Sequence, residues 1–328
     1  MAPTNPPEQP TATPTTLYKL QAIPGKGKAL VATQLITPGT QIISEPPLIT
    51  TAVIKSSDTI EKDLASHLRT LPKDSQRAFL SLHNNYPGKN PLQNIIRSNG
   101  YPMGPSSDVG GVFENISRIN HSCMPNAVQA WNKQRAEETV YAVREISEGT
   151  EITLSYHAGG PSKDRKTLLK DNFGFDCACE LCALPPDELK ESDERLVKAQ
   201  KLDAEIGNSS TVKTAPTKVL RSCKALKEIF DQEGIKDDRV ARLWYDCFQV
   251  CNFHSDEARA SVFLQRYCDA KALSSGADGS EVLEMKDFVK DPKKHDTYGL
   301  KRTWKSTVSS VPKDLSQDQF EKWVWHEE

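Results

Sequence analysis

The sequence lacks the features of a membrane-spanning, secreted or nucleic-acid-coating protein. Although 37% of its 328 residues are hydrophobic, no stretch approaches the roughly 18 consecutive apolar residues that a membrane span needs. The first seven residues, from Met1 to Pro7, contain neither the basic region nor the apolar region of a secretory signal. The net charge is −2, from 42 basic and 44 acidic residues, which argues against extensive contact with nucleic acid. We therefore expect an intracellular protein, in the nucleus or the cytoplasm, with neither a membrane nor a nucleic acid as its direct partner.

Cysteine is absent before Cys123 and is then clustered. Three of the eight cysteines, Cys177, Cys179 and Cys182, fall within six residues. A secreted domain held together by disulfides spreads its cysteines more evenly and carries a signal sequence. Close thiols in a chain without such a signal indicate metal ligation, and structural zinc takes four tetrahedral nitrogen or sulfur ligands. The fourth ligand is then a thiol or an imidazole from elsewhere in the chain, and Cys123 is the best candidate.

The hydrophobic pattern divides the chain into a β-rich half and an α-helical half. Residues 1–16 are rich in proline and threonine, which predicts a disordered tail. Short apolar or alternating segments between residues 25 and 156 predict strands, and apolar residues at helical spacing within 55–98 predict a helical insertion between them. Beyond residue 187, apolar residues recur every three or four positions, which predicts helices at 191–206, 217–233, 236–252 and 256–273. Three tryptophans in the last 25 residues predict that the C-terminal segment docks on the body of the protein.

Four segments together resemble the SET-domain protein-lysine methyltransferases. Arg118–Asn126 (RINHSCMPN) resembles the family's N-H-S-C-x-P-N motif, and Gly149–Tyr156 (GTEITLSY) resembles its G-x-E-[IL]-x-x-x-Y strand. Asn172–Cys182 (NFGFDCACELC) is similar to the post-SET zinc segment, and Gly25–Ala32 (GKGKALVA) is similar to the cofactor turn. The segments occur in the family's order over residues 25–182, and their combination is highly specific. The resemblance implies an α+β fold of short twisted sheets. It also implies a knot-like thread that brings the segments 118–126 and 150–156 together.

Within the family, the sequence is most similar to the SET and MYND (SMYD-like) branch. In that branch a cysteine-rich MYND finger interrupts the SET domain, and a helical domain follows. No cysteine precedes Cys123 here, so the segment at 55–98 is interpreted as a metal-free helical insertion and the chain as a relative that lacks the MYND finger. The resemblance implies a SET domain at 17–160, a zinc-binding post-SET segment at 161–186 and an all-α C-terminal domain at 187–328.

The activity that the resemblance implies is S-adenosylmethionine-dependent N-methylation of a histone or non-histone protein lysine, by a monomer. Methyl transfer is an in-line attack by a neutral amine, and the protein mainly binds and orients the two reactants. A lysine with a pKa of about 10.4 is almost fully protonated near neutral pH, so the site must favour deprotonation. A narrow channel with aromatic walls does this, and it admits the slim lysine stem but not the forked arginine head.

The resemblance also assigns roles to single residues. Tyr156 is the catalytic tyrosine, Asn120 and the backbone of His121 hold the cofactor, Phe175 packs on adenine, and Phe173 lines the lysine channel. The full cofactor-binding set is Gly27, Lys28, Ala29, Asn99, Asn120, His121, Tyr156 and Phe175. The set of ligands for one structural zinc ion is Cys123, Cys177, Cys179 and Cys182. The plainer alternatives are a strand tyrosine, a core histidine and core phenylalanines at these positions, and a loop asparagine without a ligand at Asn99.

One position departs from the family's pattern. The family usually has a glycine where this chain has Ala29, and alanine disfavours a left-handed backbone. If the backbone at Ala29 is extended, the change is tolerated; if it is left-handed, affinity for the cofactor falls. Together with the missing MYND finger, this leaves open a second function, that of a catalytically weak or inactive SET protein that serves as a partner-binding scaffold. Cofactor binding separates the two hypotheses.

Overall fold

The computed structural model describes residues 16–327, so the predicted disordered tail lies outside the described residues except for Thr16. The strands of its first half are β1 (Tyr18–Ile23), β2 (Gly27–Ala32), β3 (Gln41–Glu45), β4 (Ile49–Thr50), β5 (Tyr101–Pro102), β6 (Gly110–Val112), β7 (Asn120–His121), β8 (Ala127–Asn132), β9 (Glu137–Ala142) and β10 (Thr153–Leu154). Three sheets, β1–β2, β3–β9–β8 and β4–β6–β5, are antiparallel, and β7 pairs with β10 in parallel. These are the short strands in small sheets that the sequence predicts.

Strands from different sheets share one apolar core. Leu30 of β2, Val140 of β9 and Leu154 of β10 are fully buried and pack in the same cluster. The turn between β1 and β2 has left-handed backbone at Gly25 (φ +76°) and Gly27 (φ +74°). Only glycine adopts this region without strain, so both glycines are needed to close the hairpin.

The segment between β4 and β5 is helical, as predicted. It contains α1 (Ile60–Leu68), α2 (Lys73–Leu80) and α3 (Pro91–Asn99). Their buried side chains Leu64, Phe79 and Ile95 pack against Ile49 of β4 and Val112 of β6 in a second apolar cluster. Within the described residues, the side-chain groups with metal-binding geometry lie between positions 121 and 182, so this insertion holds none.

Helices dominate the remainder of the chain. They are α4 (Ser162–Phe173), α5 (Pro186–Ile206), α6 (Ser209–Thr214), α7 (Pro216–Gln232), α8 (Asp238–Phe253), α9 (Glu257–Ser275), α10 (Ser280–Lys290) and α11 (Gln317–Val324). The sequence predicts α5, α7, α8 and α9 at nearly these bounds but not α6, α10 or α11. The start of α11 carries a capping box formed by Ser316 and Gln319, a local signal from which this helix could have been predicted.

The end of the chain docks on the helical region, as the tryptophan density predicts. Trp325 is 5% exposed, and its ring lies 5.9 Å from that of Trp244 and 5.2 Å from that of Phe263. Helix α9 in turn packs against β8 and β9, so the helical region and the sheets form one body. Among the described residues, no helix combines the length and apolar character that a membrane crossing requires. The predicted α+β class is confirmed.

Candidate active site and cysteine cluster

Two motifs that are distant in sequence are joined at the centre of the first half. Strand β7 pairs in parallel with β10, which places Asn120 opposite Thr153 and His121 opposite Leu154. The Asn126 side chain completes the junction: its Nδ2 donates to Glu151 O at 2.9 Å, and its Oδ1 accepts from Thr153 N at 2.8 Å. Because these side-chain bonds occupy main-chain groups, the regular strand is shorter than the sequence predicts.

Tyr156 is held at this junction from several directions. Its hydroxyl donates to the carbonyl oxygen of Ile119 at 2.6 Å, and its backbone N–H donates to His121 Nδ1 at 3.0 Å. Its ring centroid lies 4.8 Å from that of Phe173, the last residue of α4. Burial, with a smaller contribution from Glu151, raises the pKa of Tyr156 well above its usual value. The phenol is therefore a neutral hydrogen-bond donor at neutral pH.

The glycine turn and Asn120 are connected through a carboxylate. Glu151 Oε1 accepts from Asn120 Nδ2 at 2.9 Å, and Glu151 Oε2 forms an ion pair with Lys26 Nζ at 2.7 Å. The Gly25–Gly27 turn thus lies beside Asn120. A Cβ atom added to Gly25 or Gly27 would meet nothing within 4 Å, so the turn borders open space in which a ligand can lie.

The remaining residues predicted for the cofactor differ in their surroundings. Lys28 is exposed at the start of β2, whereas Ala29 is fully buried within that strand and pairs with Gln21 of β1. The backbone at Ala29 is therefore extended, which is the conformation in which alanine is tolerated. Phe175 lies near the motif, with its ring centroid 6.1 Å from that of His121.

Asn99 is the predicted cofactor residue that the structure does not bring to this junction. It ends α3 and is not in a loop. Its Nδ2 donates to His83 O at 2.6 Å and to Ile95 O at 2.8 Å, so its amide group bonds within the insertion. Its carbonyl oxygen accepts from Ser117 Oγ at 2.9 Å, which connects α3 to the segment before β7.

The four predicted zinc ligands converge. The sulfur atoms of Cys123, Cys177, Cys179 and Cys182 all lie within 4.8 Å of one another. Cys123 Sγ is 3.9 Å from Cys177 Sγ and 3.6 Å from Cys182 Sγ. Four thiolates bound tetrahedrally at about 2.3 Å from zinc would be separated by about 3.8 Å. The donor set and the spacing therefore fit a zinc ion.

Two polar residues beside the cysteines are not predicted from the sequence. His157 Nε2 lies 3.2 Å from Cys123 Sγ. Arg165 of α4 is 1% exposed, and its guanidinium donates to Gly160 O and, at 3.8 Å, to Cys182 Sγ. Burial, with a smaller contribution from neighbouring positive charge, lowers the pKa of His121 to about 3 and that of His157 to about 4. Both imidazoles are neutral.

Tyr101 is a further aromatic side chain that sequence reasoning missed. It packs against the apolar core, with its ring centroid 6.3 Å from that of Phe113. Burial and then the proximity of Tyr156 and Glu138 raise the pKa of Tyr101 well above its usual value. The position of Tyr101 directly after the asparagine-glycine pair at 99–100 was the sequence feature from which this aromatic residue could have been identified.

Comparisons with known proteins agree with the motifs. A family profile described as "SET domain" matches residues 27–157. The chain is 32% identical over 286 residues to histone-lysine N-methyltransferase set5 of Schizosaccharomyces pombe, with 86% of each chain covered. It is 27% identical over 202 residues to N-lysine methyltransferase SMYD2-B of Danio rerio, a match that covers 54% of this chain and 45% of that protein. A solved structure described as Rubisco LSMT bound to AdoMet is 12% identical, with 95% and 96% of the two chains covered and a TM-score of 0.37.

Proposed function

The chain belongs to the SET-domain family of protein-lysine methyltransferases, and we propose that Tyr156, Asn120 and the Gly25–Gly27 turn form its active site. The reaction is S-adenosylmethionine-dependent methylation of a protein lysine. The observation that carries the residue assignment is the β7–β10 junction, which brings the asparagine, the turn and the tyrosine together from three separate parts of the chain.

Each group has a separate task in this site. When bound, S-adenosylmethionine supplies an electrophilic methyl group on a sulfonium. The open turn and Asn120 bind the cofactor, with Glu151 fixing both the Asn120 amide and Lys26. Tyr156 keeps its proton and its position through the Ile119 carbonyl.

The aromatic side chains favour the neutral form of the target amine. Phe173 lies against Tyr156 and offers an apolar wall to a lysine side chain. Removing water from an ammonium group lowers its pKa, so an apolar channel assists deprotonation before methyl transfer. We propose Phe173 and Tyr156 as two walls of this channel and Phe175 as a contact for adenine.

We propose a histone lysine as the first substrate to test. The support is the extended match to set5, which is described as a histone-lysine methyltransferase. The scaffold hypothesis loses its main argument because the backbone at Ala29 is extended and its methyl group is accommodated in the core.

We further propose that Cys123, Cys177, Cys179 and Cys182 bind one structural zinc ion. The same division of the chain is retained: a SET domain at 17–160, a post-SET segment at 161–186 and an all-α domain at 187–328. Its support is that α1–α3 lie within the first unit, three of the four clustered cysteines lie near the end of the second, and helices with their connections follow within the described residues.

Calorimetric titration with S-adenosylmethionine tests the proposed site. The wild-type protein is expected to bind saturably, and Asn120→Ala to bind about 10- to 100-fold more weakly, since a hydrogen bond to a charged group contributes about 1.5–3 kcal/mol. Asn208→Ala is the matched control, because Asn208 caps α6 far from the junction. Folded wild-type protein that does not bind the cofactor would contradict the proposal.

Methyl transfer to recombinant core histones tests the chemistry. Tyr156→Phe is expected to keep cofactor binding and to lower turnover by at least tenfold, because only the hydroxyl that is fixed on Ile119 is lost. The methylated residue is identified by mass spectrometry. Unchanged turnover in Tyr156→Phe would remove this tyrosine from the mechanism.

A further inference from the structure

His157 directly follows Tyr156, and its ring contacts the cysteine cluster. His157 Nδ1 accepts a hydrogen bond from the backbone N–H of Gly159 at 2.9 Å, and Nε2 lies 3.2 Å from Cys123 Sγ. A neutral imidazole has one donor nitrogen and one acceptor nitrogen. Because Nδ1 is the acceptor, the proton is on Nε2 and points at the sulfur.

His121 has the same arrangement at that sulfur. Its Nδ1 accepts from the backbone N–H of Tyr156 at 3.0 Å, and its Nε2 lies 3.3 Å from Cys123 Sγ. The two rings are in edge contact, with centroids 4.9 Å apart. Cys123 therefore receives two imidazole N–H groups, and both imidazoles are tied to the backbone around Tyr156.

The alternative is that one of these histidines is itself a metal ligand, since His121, Cys123 and His157 also lie within ligand distance of one another. A histidine that binds a metal through Nε2 carries its proton on Nδ1. Here both Nδ1 atoms face a backbone N–H at 2.9–3.0 Å, so a proton there would be directed at another donor. The hydrogen bonds therefore favour the role of donor to a thiolate over that of ligand.

We infer that His157 is a positioning residue, which holds Cys123 by an N–H···S hydrogen bond and so couples the zinc cluster to Tyr156. The inference rests on the proposed zinc site and on the proposed role of Tyr156. A zinc ion with four thiolates carries a net charge of −2, and N–H donors to the sulfurs offset that charge. Because His157 directly follows Tyr156 and His121 binds the Tyr156 N–H, a displaced Cys123 would shift the tyrosine from Ile119.

The test compares His157→Ala and His157→Gln with the wild-type protein, with His67→Ala of α1 as the control for loss of a histidine at a remote position. Zinc release to a chromogenic chelator, the affinity for S-adenosylmethionine, kcat and KM are measured on each zinc-loaded protein. Replacing a group that supports a metal ligand typically changes metal affinity or activity 10- to 100-fold. His157→Ala is expected to release zinc about 10- to 100-fold faster and to lower kcat, while affinity for the cofactor changes less than about twofold.

His157→Gln keeps an N–H donor at about the reach of Nε2, and it is expected to recover most of the slow zinc release. Wild-type release rates in His157→Ala would overturn the inference. Equally fast release from His157→Gln and His157→Ala would also overturn it, because the donor would then be irrelevant. A wild-type protein that neither retains zinc nor binds cofactor would instead contradict the proposed function, before any variant is compared.

Discussion

Glu138 carries a buried carboxyl group, one oxygen of which has no hydrogen-bond partner among the described residues. It lies in β9, opposite Glu45 of β3 and Trp131 of β8, and is 2% exposed. Within the described residues, its Oε2 atom accepts no hydrogen bond. Burial raises the pKa of Glu138 to about 8, whereas the pKa of an exposed glutamate is about 4.3.

The difference between the two pKa values gives the sign and size of a pH effect on folding. In the unfolded chain Glu138 ionises near pH 4.3, but in the folded protein it stays protonated until about pH 8. The folded state therefore loses stability as pH rises through this window, and the loss is complete above it. A separation of between three and four pH units corresponds to roughly 5 kcal/mol of unfolding free energy.

Glu138→Gln removes the ionisation while keeping the shape of the side chain. In urea unfolding, the stability of the variant relative to the wild type is expected to rise by roughly 4 kcal/mol between pH 5 and pH 9, because the unfolded wild-type chain is already largely ionised at pH 5. Glu148→Gln, at an exposed turn position, is the control for loss of a glutamate outside the core. A difference between Glu138→Gln and the wild type that does not change with pH would refute the reasoning, because the carboxylate would then have a partner in the folded state.

Two further substitutions test polar contacts near the site. Arg165→Met is expected to lower the unfolding free energy of the zinc-loaded protein by about 3–5 kcal/mol, because it leaves the buried anionic cluster without its counter-charge. In chelator-treated protein the same substitution removes a buried charge that has no zinc–thiolate cluster to neutralise, so the unfolding free energy should stay equal or rise. An equal loss in the zinc-loaded and the chelator-treated protein would contradict the role of Arg165 as counter-charge. Tyr86→Phe removes the hydrogen bond of 2.6 Å from the insertion to Asn172 O, one residue before Phe173. Loss of this hydrogen bond costs about 0.5–1.5 kcal/mol, so kcat/KM for the protein substrate is expected to fall two- to tenfold while the affinity for the cofactor stays unchanged. A fall in cofactor affinity alone would exclude an effect through Phe173.

The residues that could be predicted from sequence are those in dense local patterns. The asparagine motif around Asn120, the strand ending at Tyr156 and the closely spaced cysteines each occupy a short segment, so their types and spacing were informative before the segments were seen to meet. The long helices were predicted for the same reason, since an apolar face repeats over many turns.

Single polar residues in mixed surroundings could not be predicted in this way. Arg165 stands among Lys163, Asp164 and Lys166 in α4, and nothing local marks it as the buried member of that charged run. Glu138 is different, because strand side chains alternate and it shares a face with the buried Val140. Alternation alone does not mark Glu138, however, because Thr139 and Tyr141 on the other face of β9 are buried as well.

The segment between α4 and α5 is the part of the fold that the proposed zinc ion would order. In these described residues, 174–185, the backbone forms neither helix nor strand, and a hydrogen bond from Ala183 N to Cys179 O is one of its few internal links. Ordering such a segment costs about 1–2 kcal/mol per residue in backbone entropy. Three of the four thiols lie in this segment, so zinc bound there would supply free energy of ordering that regular hydrogen bonding does not.

The position of this segment determines what zinc would control. Phe175 lies within it and Phe173 immediately before it, and their rings face His121 and Tyr156. The Gly25–Gly27 turn is held separately by the β1–β2 pairing. Loss of zinc should therefore loosen the aromatic wall of the proposed lysine channel before it disturbs the glycine turn. On the proposed assignments, the lysine channel at Phe173 and the adenine contact at Phe175 both depend on the cysteine cluster, whereas the glycine turn depends on a β-hairpin.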